Sequence, residues 1–573
     1  MQLTPQQKAL LDGAQGETMA KVVKTLVMYG DTFGAQRMVP VTSEYGHTVI
    51  SFGLAVMKPV YDLYDRLIES GLTSGQKFTA DPLPLDKHVP TSLLEDIVFR
   101  KIMYTQQDRY EQQLKKLGIT ADNAYTCTCY LEQVGNTPKQ GDILSWAESS
   151  AVVYANSVLG ARCNRNSGML ELMGSIAGFV PEFGLLTDEG RKAHWLVEVK
   201  CTRRPEAQLL GSAIGMKVME DVPYVRGLDK WLGTELNDEN RAYLKDFGAA
   251  TASNGAVGLY HVEHLTPEAK QQGEALLREG YRTYIIDDAE LERVKRSYPV
   301  IWKDPAAAPQ LCFVGCPHLT LEQLKEWTAK LTDALRAQNR LQVAVPTVFT
   351  AAPAVLDAFK DTVEGYKLQS MGVILSYICP LMYMNNPSAR RRRSSPTPIS
   401  SAPTPAPGII PTRRYWTSSP ERRDADMQQF KGRVVVPGTC TAEALVSHGG
   451  FNTLASYQMA MMFGDKQVKC GDQNNPDIYR KPMIGKALCL PQTIGSTTGG
   501  MVLFTVCSHG KQPACMLFSL PIDSLAASGA ILGDVWTDSK MPVVDSLGDE
   551  FLQYVQTGMT VTVGDDGLVT VED

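Results

Sequence analysis

The sequence has no apolar run approaching the ~20 residues needed to cross a bilayer. Its opening, MQLTPQQKALLDG, lacks the basic start and apolar core of a secretory leader, so a cytosolic location is expected. No charge dominates: the formal net charge is −6 with both signs well represented. That gives no electrostatic reason to expect nucleic acid or an anionic membrane as the main partner. There is no CxxC pair and no HExxH, which argues against a zinc ribbon or a zincin. Cysteine is too sparse, at 12 in 573 residues, for a disulfide scaffold. In a reducing compartment, thiols that cluster are metal ligands, catalytic groups or small buried hydrophobes.

What is present is length and alternation. A chain of 573 residues exceeds one hydrophobic core and predicts about two to four units. Thr4-Pro5-Gln6-Gln7 reads as a helix start, with Thr as N-cap, Pro at the first helical position and Gln three residues after the cap. In GETMAKVVKTLVMYG, Met19, Val22, Val23, Leu26 and Val27 recur at helical spacing, and Gly30 is placed to end the helix. RMVPVTS reads as a short strand that runs into SEYGH, placing Ser43 and His47 at a strand's carboxyl end. HWLVEVK, AVGLYHVE, YRTYIIDD, QLCFVGC, QVAVPTV and GVILSYIC read as buried strands, with helical patterns such as LTLEQLKEWTAKLTDALRAQ between them. The pattern predicts an α/β domain with a mainly parallel sheet, whose ligands gather at strand carboxyl ends.

The composition changes near Asn386. PSARRRRSSPTPISSAPTPAPGIIPTRRYWTSSPERR has almost no apolar content and reads as a disordered linker, since it cannot bury enough surface to offset its ordering entropy. The expected organisation is therefore a large domain over 1–385, a linker over 386–428 and a smaller domain, rich in β-strands, over 429–573. In the last, GKALCLPQTIGSTTGGMVLFTV reads as two strand-like runs around the turn Gly495-Ser496-Thr497-Thr498-Gly499-Gly500. Glycines let backbone approach a ligand, and N–H groups with Ser/Thr hydroxyls form a concave anion site. The turn lacks the GxxxxGK[ST] pattern and is not read as a P-loop.

Cys127, Cys316 and Cys379 fall at expected strand ends or the loops after them. Each alone is better explained by packing than by ligation; three together, with Cys129 beside the first, suit a thiolate-bound iron–sulfur centre or soft metal. Cys201, Cys312, Cys440, Cys489 and Cys515 are read as structural, and His261 and His264 are given no role. WAESSAVVYANSVLGARCNR reads as a helix with Glu148 and Ser149 at its start, where N–H groups favour an anion, and with Arg162 and Asn164 about three turns on.

These motifs resemble the aconitase X family, a dehydratase branch of the aconitase superfamily. The resemblance is carried by LTPQQKALLDGAQGE, MVPVTSEYGH, TCTCYLEQVGNTPKQGDILSWAESSAVVYANSVLGARCNR, RPEAQLLGSAIGMKV, VGCPHLTLEQL and IGKALCLPQTIGSTTGG, in that order, and spans both domains but not the linker. It implies a large domain covered by a small swivel domain that supplies a serine. Separate-chain members are mevalonate 5-phosphate dehydratases; fused members are cis-3-hydroxy-L-proline dehydratases. The fused chain and its TCTCY and ICPLMYMNNP segments are similar to the second branch.

The resemblance thus implies a hydro-lyase acting on cis-3-hydroxy-L-proline with an iron–sulfur cluster, 2Fe–2S favoured, on Cys127, Cys316 and Cys379. It implies Ser496 as base or proton relay, with Glu148 and His47 also catalytic. Ser43, Ser149, Asn156 and Thr497 are candidate substrate contacts, and Lys217 in GSAIGMKV is a candidate for the substrate carboxylate. Two rival expectations are a phosphorylated hydroxy acid as substrate, and a non-catalytic binding protein on the same scaffold.

Overall fold

The computed structural model describes every residue except 50–52, 122, 299–308, 385–393, 397–426, 463 and 496. Its first helix, Pro5–Leu11, opens on the expected capping box, with reciprocal bonds between Thr4 and Gln7. The next, Glu17–Thr32, buries Met19, Val22, Val23 and Leu26. Gly30 lies inside this helix and does not end it. A Cβ there would stand 2.6 Å from that of Pro181, so the glycine serves close packing rather than termination.

Two four-stranded, all-parallel sheets build most of the large domain. One orders His261–Val262, Pro223–Arg226, Ala193–Val199 and Leu277–Ile286. The other orders Val373–Ser376, Thr347–Ala351, Leu311–Leu319 and Ser394–Pro396. Within the expected linker, Ser394–Pro396 is thus an edge strand and Gln428 begins another; the rest of the linker reading lies outside the described residues, save Met427. The strand expected in AVGLYHVE shrinks to His261–Val262. That of QVAVPTV begins only at Thr347, after a proline that has no N–H for the ladder. The second capping-box pattern holds: Thr320 and Gln323 cap the helix Leu321–Ala337.

The C-terminal domain carries an eight-stranded mixed sheet. Its centre is parallel, through Cys440–Val446, Ala487–Leu490, Cys515–Phe518 and Val543–Asp545, and its margins are antiparallel. Here MVLFTV is helical, within Gly499–Ser508, against the expected strand. Residues Gly499 to Cys507 are buried on every face, so the run shows no periodicity, and helix and strand cannot be told apart from the pattern alone.

The swivel packs its helix Ser524–Trp536 on Glu17–Thr32 of the large domain. Trp536 Nε1 donates to Thr25 Oγ1 at 3.0 Å, and the Arg433 guanidinium donates to the Thr32 carbonyl. One apolar cluster takes Leu26 and Tyr64 from the large domain together with Leu503, Ile531 and Trp536 from the swivel. At roughly 1.5–3 kcal/mol per fully buried large side chain, this shared core holds the domains in register around the cleft between them. No helix among the described residues is long and apolar enough to cross a membrane.

Candidate active site

Three short parallel pairings set up the floor of that cleft. Gly46–Thr48 pairs with Phe78–Ala80, Ala80 bridges to Tyr125, and His47 bridges to Trp146. Each segment then delivers one or more residues past its carboxyl end: Val49, Asp81, Cys127 and Glu148 all line a cavity of about 350 Å³. Side chains there are aimed where open parallel sheets place ligands. Cys316, Pro317, His318 and Cys379 come to the same cavity from the second sheet. Cys316 sits within Leu311–Leu319 rather than at its end, and Cys379 lies beyond Val373–Ser376. Gly315, just before Cys316, has φ +116° and an imagined Cβ 2.3 Å from the Thr350 carbonyl oxygen, so no other residue fits the approach.

The three cavity thiols do not all lie within 4.8 Å of one another. Burial pushes the Cys127 thiol well up, with Glu148 and Cys316 adding to it, and burial raises Cys379 as well. Bare, these sulfurs keep their protons, and cations are what would make them thiolates. Cys129 is fully buried, outside the cavity lining, in the core around Tyr130 and Trp146.

A second group lies beside the thiols. His47, Asp81 and Glu148 each place a ligand-type atom within 4.8 Å of the other two. His47 is fully buried; its Nδ1 meets Thr79 Oγ1 at 2.8 Å, and Asn136 Nδ2 donates to that hydroxyl at 2.9 Å. Its Nε2 stands 3.7 Å from Asp81 Oδ1, and neither atom has a hydrogen-bond partner among the described residues. Burial depresses the His47 pKa to about 4, so the ring is neutral near pH 7. Burial also holds the Asp81 carboxyl well above the carboxylate range. Glu148 is raised to about 7 by burial and by Asp81, with His47 and the bonds from Ser150 opposing. Its carboxylate accepts from Ser150 N at 3.1 Å, Ser150 Oγ at 2.8 Å and Ala151 N at 2.5 Å, capping Ser149–Tyr154. The Glu148 backbone has φ +90°, unusual for a non-glycine residue and a conformation that surrounding contacts must maintain.

The lining cation among the described residues is Arg165. Its Nη2 donates to the Gly495 carbonyl at 3.0 Å, while Nε is buried with no hydrogen-bond partner among the described residues. Ser167 Oγ donates to the Thr497 carbonyl at 2.6 Å, and Ser524 Oγ to the Arg165 carbonyl at 2.9 Å, so large-domain loop and swivel turn are laced together.

Of the sequence candidates, Cys127, Cys316, Cys379, Glu148, Ser149 and Thr497 line the cavity, with His47 directly behind Asp81. Ser496 lies outside the described residues. Ser43 is buried elsewhere, its hydroxyl donating to the Tyr45 carbonyl. Asn156 donates to the Cys163 and Gly258 carbonyls and accepts from Cys163 N and Arg191, which uses up its amide as a brace. Lys217 lies over the rings of Trp195 and Tyr284, away from the cavity. Asp81, Arg165 and His318 escaped the sequence reading. The only signal for Asp81 was its place just after a short strand, and for Arg165 its place in the polar block that follows Glu148.

A large α/β body, a docked C-terminal domain, and a cleft of thiols, carboxyls and a guanidinium between them make a candidate active site built across two domains. Family models agree domain by domain: aconitase X first domain over 1–189, second domain over 193–296 and swivel domain over 429–571. The phosphomevalonate dehydratase large subunit of Thermococcus kodakarensis is 32% identical over 359 residues, covering 62% of this chain and 82% of that protein. The cis-3-hydroxy-L-proline dehydratase of Hypocrea jecorina is 27% identical over 338 residues, 57% of this chain and 52% of that one. A phosphomevalonate dehydratase small subunit from Thermococcus onnurineus matches 25% of this chain over 99% of its own length, at 27% identity. The crystal structure of Thermococcus kodakaraensis aconitase X in its holo-form superposes with TM-score 0.56 at 29% identity, covering 67% of this chain and 89% of that one. The chain belongs to the aconitase X family, with the large and swivel parts fused, and is a dehydratase of that family.

Proposed function

We propose that the protein removes water from cis-3-hydroxy-L-proline to give a pyrroline-2-carboxylate. The observation that carries this reading is the charge make-up of the cavity: among the described lining residues one guanidinium, Arg165, stands with the carboxyl groups of Glu148 and Asp246, the latter already paired with the buried Lys245 ammonium. A zwitterion with one carboxylate and one protonated ring nitrogen complements that arrangement. A phosphate dianion would call for further cations, which the described lining does not provide.

Arg165, whose Nε has no partner among the described residues, is our candidate to receive the substrate carboxylate. Glu148, titrating at about 7, suits the transfer of a proton to the departing 3-hydroxyl, and the neutral Asp81 beside it suits holding that proton between turnovers. Ser496 remains our candidate for taking the α-proton. Loss of that proton from carbon and of hydroxide from the neighbouring carbon, protonated to water, forms the double bond of an enamine, so the products are the pyrroline and one water. Cys127, Cys316 and Cys379 would hold an iron–sulfur cluster, taken as 2Fe–2S, which when bound supplies Lewis-acid chemistry to a leaving oxygen. The Gly495 carbonyl of the swivel turn accepts from the guanidinium and helps to orient it.

A second reading has support in the 32% identity to a phosphomevalonate dehydratase large subunit. Anaerobic protein assayed with both substrates decides: turnover of cis-3-hydroxy-L-proline alone is expected, and turnover of phosphomevalonate alone overturns the assignment. Ser496→Ala should abolish turnover while sparing the visible spectrum, and a fully active variant would remove that serine from the mechanism.

A further inference from the structure

The three cavity thiols come from segments some 190 and 60 residues apart, yet one side chain touches all three segments. His318 follows Cys316 by two positions and is 1% exposed. Its Nδ1 meets Thr126 Oγ1, next to Cys127, at 3.0 Å. Its Nε2 meets the carbonyl of Ile378, next to Cys379, at 3.2 Å. Its backbone N–H donates to Cys127 Sγ at 3.4 Å, and its carbonyl accepts from Lys245 Nζ, itself buried, at 3.0 Å. The ring roles follow from the partners. A carbonyl can only accept, so Nε2 carries the proton and donates to Ile378, and Nδ1 accepts from the Thr126 hydroxyl. Thr126 in turn accepts from Thr128 N at 3.1 Å, which orients its hydroxyl.

We propose that His318 is the positioning residue that sets the mutual spacing of Cys127, Cys316 and Cys379 and so governs how firmly an iron–sulfur cluster is held there. The inference rests on the cluster assignment above. It does not depend on which substrate the site takes, because the bonds invoked run between residues of the chain itself. Cys127 and Cys379 lie past the ends of their strands and Cys316 lies within Leu311–Leu319; among the described residues no strand ladder joins the three cysteines directly, and side-chain bonds of this kind orient ligands from behind. The imidazole spans the gap between the Thr126 hydroxyl and the Ile378 carbonyl with one donor and one acceptor on opposite sides of a rigid ring. An apolar side chain of similar size would remove both ring bonds, leaving the Cys127 and Cys379 segments held through their backbone bonds to Ala80 and Leu83.

The test uses the anaerobically reconstituted full chain and follows loss of visible absorbance under a competing iron chelator. His318→Leu removes both ring bonds and should speed cluster loss by about 10- to 100-fold. Thr126→Val removes one of those bonds without touching His318 and should give a smaller acceleration. His318→Gln, which keeps one donor and one acceptor, should recover part of the wild-type rate. Circular dichroism and thermal midpoints report folding separately; if His318→Leu fails to fold, Thr126→Val decides. Variants that lose the cluster at the wild-type rate overturn the proposal while leaving the cluster assignment standing. A wild-type chain that takes up no iron and sulfide overturns both.

Discussion

The two walls of the cavity differ in kind. From the large domain come Asp81, Cys127, Glu148, Arg165, Asp246, Cys316, His318 and Cys379, which are all titratable or charged. From the swivel come Asn452, Leu454, Ala455, Gln458, Gly495, Thr497 and Thr498, none of which ionises near neutrality. Reactive groups are thus concentrated on a floor made of parallel strand ends, while the lid offers amides, hydroxyls and a carbonyl. A neutral lid can open and close without paying to move a charge through a low-dielectric cleft. The lid's interdomain bonds at Gly495 and Thr497 meet Arg165 and Ser167, so the guanidinium is the one floor charge whose orientation depends on docking.

Substitutions can break this contrast, beginning with the floor. Replacing Cys127, Cys316 or Cys379 by Ala should abolish both visible absorbance and turnover, whereas Cys129→Ala should keep the spectrum; absorbance scans of reconstituted protein read this directly. Arg165→Ala should lower kcat/KM by roughly a hundredfold, the usual order for removing one partner of a buried charge contact. On the lid, Gln458→Ala should cost only about threefold in the same assay, and equal losses on both walls would erase the distinction.

The buried histidine gives a test that needs no substrate. The His47 pKa is about 4 in the folded protein, against ~6.5 in an unfolded chain. Between those values the unfolded state binds more protons, so stability falls as pH drops from about 6.5 to about 4 and His47 contributes no further loss below that. The term amounts to about 3 kcal/mol. His47→Gln should flatten that slope in denaturant titrations run across the window. Smaller still, Ser167→Ala deletes the bond to the Thr497 carbonyl and should cost about 1 kcal/mol of interdomain docking, read as several-fold faster proteolysis within the cleft. Lys217→Ala, far from the cavity, should change KM by less than about twofold.

Much of the fold could be read from local signals because those signals are physical and short-ranged. The capping boxes at Thr4 and Thr320 satisfy orphan N–H groups with neighbours three residues away, and both are found where the pattern put them. Buried strands such as Ala193–Val199 announce themselves by continuous apolar content. Where local signals fail, burial on all sides is the cause: MVLFTV is apolar throughout, and only packing between Gly500 and Gly529 shows that it is a helix. Gly30 was misjudged for a related reason, since a helix-stop glycine and a close-contact glycine are the same letter until Pro181 is seen beside it.

By itself the sequence determined the family, the fused order of large and swivel parts, the change in composition between them, and which cysteines stand near strand ends. Tertiary structure alone decided which polar residues share a cavity. Asp81, Arg165 and His318 belong to segments far apart in the chain, and the strands that aim two of the site's carboxyls and a thiol are three residues long or single bridges. Elements that short carry no periodicity, so their direction is set by what packs around them. The same holds for charge: Glu148 and Asp81 are ordinary carboxylates in the sequence, and burial, with Asp81 adding to it, raises Glu148 to about 7, while burial alone holds Asp81 well above the carboxylate range.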